Sequence, residues 1–155
     1  MKKGLLIKCI AVPLLIGVIA SLLTSGGMEM FSNLDKPPLS PPGWLFPIVW
    51  TILYILMGIS SYLILTSGAE ESKISKAMAI YAYQLAVNFL WPTFFFNLEW
   101  YRFAFLWLVL LWILVFIMIL RFWEIDKRAA WMNVPYLIWL TFAGYLNLAI
   151  WILNR

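Results

Sequence analysis

Gln84, Asn88, Trp91 and Phe95 recur at i, i+4, i+7 and i+11. At about 100° per residue, that spacing puts two amides, an indole and a phenyl ring on one helical face. Two further stretches repeat the pattern: Trp50, Tyr54, Met57 and Ser61 along one stripe, and Tyr136, Trp139, Ala143 and Asn147 along another. Indole and phenol groups join a large apolar face to a single polar handle, which suits a flat, largely apolar ligand carrying a few polar groups. Ala143, between Trp139 and Asn147, leaves room for such a molecule. The competing reading is structural, because Asn and Gln also bond between membrane helices with no ligand at all.

The same inventory excludes most other chemistry. The chain has no histidine, so the usual general base, proton shuttle and axial haem ligand are missing. All seven acidic residues, Glu29, Asp35, Glu70, Glu71, Glu99, Glu124 and Asp126, fall in or beside loops. Ion-coupled transport needs ionisable groups inside the membrane and is disfavoured. Conventional hydrolytic or metal catalysis has no residue set to use, no metal site is expected, and the lone Cys9 supports no disulfide framework.

The elements that must position these faces are five apolar stretches, about residues 4–25, 44–66, 77–96, 103–122 and 130–153, in a single domain. Each is near the ~20 residues that cross ~30 Å of hydrocarbon. With 65% hydrophobic and 12% charged residues, the chain lies outside the range of soluble globular domains. Continuous apolar runs, rather than ~10-residue alternating segments, reject a β-barrel. The expected fold is an all-α membrane protein, a bundle of five transmembrane helices embedded in lipid. A signal-peptide reading of residues 1–25 is set aside because four further spans follow.

Odd-numbered spans place the termini on opposite sides. Lys2, Lys3, Lys8, Lys73, Lys76, Arg121, Lys127 and Arg128 then face Lys36, Arg102 and Arg155, and this bias predicts a cytoplasmic N-terminus. The bases are scattered, so no nucleic-acid partner is implied. The loop over residues 26–43, with Lys36-Pro37-Pro38 and Pro41-Pro42-Gly43, reads as a stiffened cap over one mouth of the bundle. Pro13 and Pro92 should bend their helices. On the third stretch Ala79, Ala82 and Ala86 lie opposite the polar face, suited to close helix contact within the chain or to a homodimer seam. Trp44, Trp100, Tyr101, Trp123, Trp131 and Trp151 near span ends read as interfacial belt residues. The fourth stretch, with Trp107 and Trp112, reads as a lipid-facing or packing helix.

Taken together, these motifs resemble a known signature. Lys36-Pro37-Pro38 with Pro41-Pro42-Gly43-Trp44, then Pro47-Ile48-Val49-Trp50-Thr51-Ile52-Leu53-Tyr54 and Met57-Gly58, resembles the tryptophan-rich sensory protein (TspO/MBR) family. Gln84-Leu85-Ala86-Val87-Asn88 with Trp91-Pro92 and Phe95-Phe96, and Pro135-Tyr136-Leu137-Ile138-Trp139 with Phe142-Ala143 and Leu146-Asn147, extend the match. Animal members of this family are the mitochondrial translocator proteins, or peripheral benzodiazepine receptors. The resemblance implies a usually dimeric five-helix bundle whose capped pocket binds protoporphyrin IX or haem as ligand, with no cofactor required. Some members also take cholesterol or isoquinoline carboxamide drugs. It further implies links to tetrapyrrole transport, stress sensing and light-dependent porphyrin breakdown; if the last operates here, Trp50 and Trp139 are the expected electron donors, the competing reading being that tryptophans merely quench the bound pigment. By motif, Trp50, Asn88, Trp91, Trp139, Ala143 and Asn147 line the pocket. The sterol pattern departs, since Tyr145 has no basic residue after it until Arg155. An ending at Arg155 without a basic tail favours a bacterial plasma-membrane member.

Overall fold

The computed structural model describes residues 1–155 and is entirely helical. It contains α1 (Lys3–Leu23), α2 (Gly27–Ser32), α3 (Leu45–Leu65), α4 (Glu71–Pro92), a π-helical turn (Thr93–Asn97), α5 (Tyr101–Trp123), α6 (Lys127–Met132) and α7 (Val134–Leu153). The five expected stretches are the five long helices, and α2 and α6 are short additions at the bundle ends. Four spans are long and apolar enough to cross a membrane: Lys3–Leu23, Leu45–Leu65, Tyr101–Trp123 and Lys127–Leu153. The five-span expectation is corrected at α4. That helix runs for 22 residues, but Glu71, Lys73 and Lys76 fill its first turns and Gln84 and Asn88 its inner face.

Large apolar side chains cover the outside of the bundle. Ile7, Leu15 and Leu22 on α1 are exposed, as are Leu106 and Leu110 on α5. Apolar surface of this extent is stable only against hydrocarbon, so the chain is an integral membrane protein. Inside, Met57, Ile64, Val115, Met118 and Phe122 are fully buried in the main core.

Two local features set the helix arrangement. A Cβ at Gly58 would stand 2.5 Å from the Ile10 Cα and 2.7 Å from the Cys9 carbonyl oxygen, so glycine lets α1 lie directly on α3. The fourth long helix, α5, faces lipid along one side, with Leu106 and Leu110 exposed, and packs along the other. Trp107 donates its indole N–H to the Val87 carbonyl at 2.8 Å, and Trp112 donates to Thr141 Oγ1 at 2.9 Å. These bonds fasten α5 to α4 and α7. By contrast, α3 and α7 come close in backbone at no more than isolated points, and side chains close the seam between them.

Pro13 lies inside an uninterrupted α1, whereas Pro92 and Pro135 sit at helix ends. Pro92 ends the regular α4 hydrogen-bond ladder, and the chain widens into the π turn that carries Phe95. Pro135 sits in the first turn of α7, where its missing N–H costs little.

The 26–43 segment is a structured cap. Lys36 Nζ donates to the carbonyls of Phe31, Ser32 and Leu34 at 3.0, 3.1 and 3.2 Å, closing the end of α2. Asp35 and Asn154 exchange two hydrogen bonds, at 3.0 and 2.9 Å, and Tyr145 donates to the Pro38 carbonyl at 2.9 Å. The cap is therefore tied to the end of α7. Of the expected belt residues, Trp44, Trp100, Trp123 and Trp131 are exposed, and Trp151 is half-buried. Tyr101 is the exception: it is buried, and its hydroxyl donates to Met30 Sδ at 3.6 Å beneath the cap.

Candidate functional site

Under the cap lies a cavity of about 420 Å³, within the ~300–1,000 Å³ typical of small-molecule sites. Its wall includes Trp50, Tyr54, Asn88, Trp91, Phe95, Trp139, Ala143 and Asn147. Eight of the twelve residues singled out by helical spacing thus come together, from three helices and the π turn. Of the other four, Gln84, Tyr136 and Met57 stand behind the wall as its support, and the buried Ser61 donates to the Gly58 carbonyl of its own helix.

The support is a chain of buried hydrogen bonds. Tyr54 Oη donates to Asn88 Oδ1 at 2.9 Å, Asn88 Nδ2 donates to Tyr136 Oη at 2.6 Å, and Tyr136 Oη donates to Gln84 Oε1 at 2.8 Å. Gln84 Nε2 ends the chain on Met57 Sδ at 3.8 Å. The amides of α4 therefore join it to α3 and α7, as the structural alternative holds for such residues, while Asn88 also forms part of the cavity floor. Gly17 belongs to the same construction. A Cβ there would collide with the Tyr54 ring, so α1 admits that ring only because residue 17 has no side chain.

A second chain holds the other side. Trp91 Nε1 donates to Asn147 Oδ1 at 3.1 Å, and Asn147 Nδ2 donates to the Tyr101 carbonyl at 2.8 Å. The Trp91 ring stacks on Phe95 with centroids 4.9 Å apart and planes at 23°. This π-turn placement of Phe95 keeps the two rings parallel.

One buried polar atom of the wall has no partner. Trp139 Nε1 is buried and makes no hydrogen bond. Its ring meets Phe46 edge-on at 5.8 Å and Phe142 at 5.7 Å, so packing holds it in place. A buried donor left unpaired costs roughly 1–3 kcal/mol, and an acceptor on a bound molecule would recover that.

Sequence reasoning missed wall residues on α2, at the start of α3 and on α5. Phe31 and Phe46 form part of the wall and pack edge-to-face at 5.4 Å. Leu108 and Leu111, also in the wall, are almost fully buried. These are ordinary apolar residues in apolar segments, with no spacing signal to mark them. Gly17 was detectable in principle, as a small residue within an otherwise bulky first helix.

Comparison with known proteins agrees with this architecture. The TspO/MBR family model matches residues 9–152. The chain belongs to the TspO/MBR family. It is 44% identical to Protein CrtK of Rhodobacter capsulatus over 124 residues, 80% of this chain and 78% of that protein. Over 147 residues it is 37% identical to the tryptophan-rich protein TspO of Chlorobaculum tepidum, covering 94% and 93% of the two chains. The translocator protein of Bos taurus is 34% identical over 141 residues, 90% of this chain and 83% of that one. Within this TspO/MBR chain, the motif residues quoted from the sequence include Trp50, Tyr54, Asn88, Trp91, Phe95, Trp139, Ala143 and Asn147 of the cavity wall and Gln84 and Tyr136 of its supporting hydrogen-bond chain.

Proposed function

We propose that this TspO/MBR protein binds protoporphyrin-type tetrapyrroles in the capped cavity. The observation that carries the reading is the wall itself, a set of aromatic rings around one unpartnered indole N–H at Trp139. Trp50, Trp91 and Phe95 supply flat apolar surface, Ala143 leaves space, and Trp139 Nε1 offers a donor to a propionate or a ring-edge acceptor. The same donor suits the carbonyl of an isoquinoline carboxamide. With no histidine in the chain, metal-free porphyrin should bind at least as readily as haem.

Light-dependent breakdown of the bound pigment extends this reading. The porphyrin would absorb the photon, and Trp50 and Trp139 would supply electrons at close range, the ligand carrying the reactive chemistry. The alternative is passive movement of tetrapyrrole through the membrane or porphyrin-dependent stress sensing. Passive rather than ion-coupled movement is favoured because the buried polar residues, Ser60, Ser61, Gln84, Asn88, Asn133 and Asn147, include no charged group.

The deciding experiment is titration of the purified protein with protoporphyrin IX in the dark, followed by illumination of the parent and of Trp50→Phe and Trp139→Phe variants. Saturable binding with a new product lost in the variants supports photochemistry. Saturable binding with bleaching no faster than free pigment leaves a carrier or sensor, and absence of saturable binding defeats the tetrapyrrole reading.

Two further proposals complete the picture. The face of α4 bearing Ala79, Ala82 and Ala86 is exposed and would form a homodimer seam, which cysteine cross-linking at Ala82 in native membranes tests. The charge bias places the N-terminus inward in a bacterial plasma membrane, which reporter fusions at each terminus test.

A further inference from the structure

Trp139 belongs to two surfaces at once. Its ring forms part of the cavity wall, and it also lines an apolar groove of about 600 Å³ on the outside of the bundle, bounded by Val49, Ile52, Pro135, Ile138 and Phe142. Ile52 and Ile138 are 53% and 65% exposed there. Both lie on membrane-spanning segments, so the groove faces hydrocarbon.

We propose that the seam between α3 and α7 is a lateral portal, through which a flat amphipathic ligand dissolved in the lipid reaches the cavity, with Trp139 as its gate. The proposal rests on the ligand reading of the cavity given above. Three features support it. The two helices lack continuous backbone packing at this seam, where the Trp139 ring packs between those of Phe46 and Phe142. The Trp139 indole N–H has no partner, so swinging the ring outward breaks no hydrogen bond. Finally, the groove is lined almost wholly by apolar groups, which match the ligand's faces and exclude water and ions.

The routes under the cap and past α4 and α5 are more firmly held. Lifting the cap breaks the two bonds between Asp35 and Asn154 and the bond from Tyr145 to Pro38. Moving Trp91 breaks its bond to Asn147, and moving Trp107 or Trp112 releases α5 from its neighbours. Of the tryptophans in the cavity wall, Trp139 is the one that also lines the lipid-facing groove. A ligand arriving through Trp139 would meet the free N–H first, and the donor would be satisfied on arrival.

The test uses the full-length protein in vesicles, in a Cys9→Ala background. A cysteine pair Ile52→Cys and Ile138→Cys is bridged by a short reducible bis-thiosulfonate, and a control pair Asp35→Cys and Asn154→Cys locks the cap. Association of protoporphyrin IX is followed from ligand-loaded vesicles. Bridging the seam should slow association by about tenfold or more, reversibly on reduction, while locking the cap leaves the rate unchanged. Trp139→Ala should speed both association and release. A seam bridge without effect on the rate, or a cap lock that alone abolishes uptake, would overturn the portal while leaving the cavity's ligand intact. Failure of the unbridged protein to bind at equilibrium would instead overturn the tetrapyrrole reading on which the portal rests.

Discussion

Replacing Asn88 by leucine, alone and with Tyr54→Phe, tests whether the buried amide chain holds the bundle together. In the parent, Tyr54 Oη donates to Asn88 Oδ1 at 2.9 Å, and Asn88 Nδ2 donates to Tyr136 Oη at 2.6 Å. Tyr54 is 7% and Asn88 5% exposed, so bulk water has little access to either partner. Leucine at 88 leaves the Tyr54 hydroxyl without an acceptor and takes one donor from Tyr136, which keeps its own bond to Gln84 Oε1 at 2.8 Å. Soluble-protein values put an orphaned buried polar group at roughly 1–3 kcal/mol. Pairs between membrane helices measure lower, about 0.6 kcal/mol on average and up to about 1.7, because the unfolded chain in lipid also finds partners. The membrane scale applies here, and full enclosure places this pair in its upper half.

The double variant decides the matter. With Phe at 54 the orphaned donor disappears, so the second substitution should cost far less in the Asn88→Leu background than in the parent. The expected coupling is about 1 to 1.7 kcal/mol, read from reversible unfolding in mixed micelles titrated with denaturing detergent. A coupling indistinguishable from zero would refute the reasoning, since it would mean that the two groups do not depend on each other. Porphyrin affinity of the same four proteins separates support from ligand contact. If Asn88 acts only through Tyr54, affinity follows stability around the cycle; direct contact with ligand makes Asn88→Leu lose affinity even when Tyr54→Phe restores stability.

Other expectations follow from single features. Gly58→Ala should destabilise the bundle by about 1–3 kcal/mol, because the new methyl meets the α1 backbone at Ile10 and Cys9 rather than a side chain that can move; its thermal midpoint in detergent checks this. Lys36→Met keeps the stem but loses three carbonyl contacts, so amide exchange across residues 27–40 should quicken while global stability changes by less than about 1 kcal/mol. Asp126 caps α6 through the Arg128 backbone N–H at 2.8 Å. The Arg128 side chain, hydrogen-bonded to it, holds its carboxyl below the usual range. A lowered folded pKa stabilises above the unfolded value and is lost as pH falls through the folded one. Protection of α6 amides should therefore be flat from about pH 5 to 8 and fall only below about pH 4, and Asp126→Asn should flatten that fall.

Legibility in the sequence divided along physical lines. Long apolar runs bounded by charge carry the membrane helices, because bilayer thickness imposes a length that little else does. Residue spacing at 3.6 per turn located the cavity wall, since Trp50, Asn88 and Trp139 are rare types in apolar helices and their phase is visible. The partner of each polar group was not visible. Asn88 and Asn147 were equally suited to ligand or to neighbouring helices, and only tertiary placement shows Asn88 bonded to Tyr54 and Tyr136 and Asn147 to Trp91. Tyr101 looked interfacial from its position at a span end, yet the cap folds over it and buries it. The start of α4 was missed by six residues because Glu71 to Lys76 are polar, although they are sound helix formers in the first turn.

The weak apolarity of α4 and the strength of the site have one origin. A helix whose inner face spends Gln84 and Asn88 on hydrogen bonds to α3 and α7 cannot be uniformly apolar, and it falls short of the hydropathy of the other four spans for that reason. Those bonds fix Tyr54 and Tyr136, against which Trp50 packs with ring centroids at 5.5 and 6.0 Å. Trp50 is thus held through hydroxyls it does not touch, whereas Trp139 is held by ring packing alone. The two tryptophans are therefore held differently, one against hydrogen-bonded phenol rings and one against phenyl rings that make no hydrogen bonds. The proposed portal uses that difference, because the ring without a hydrogen-bonded frame is the one shared by the cavity and the outer groove.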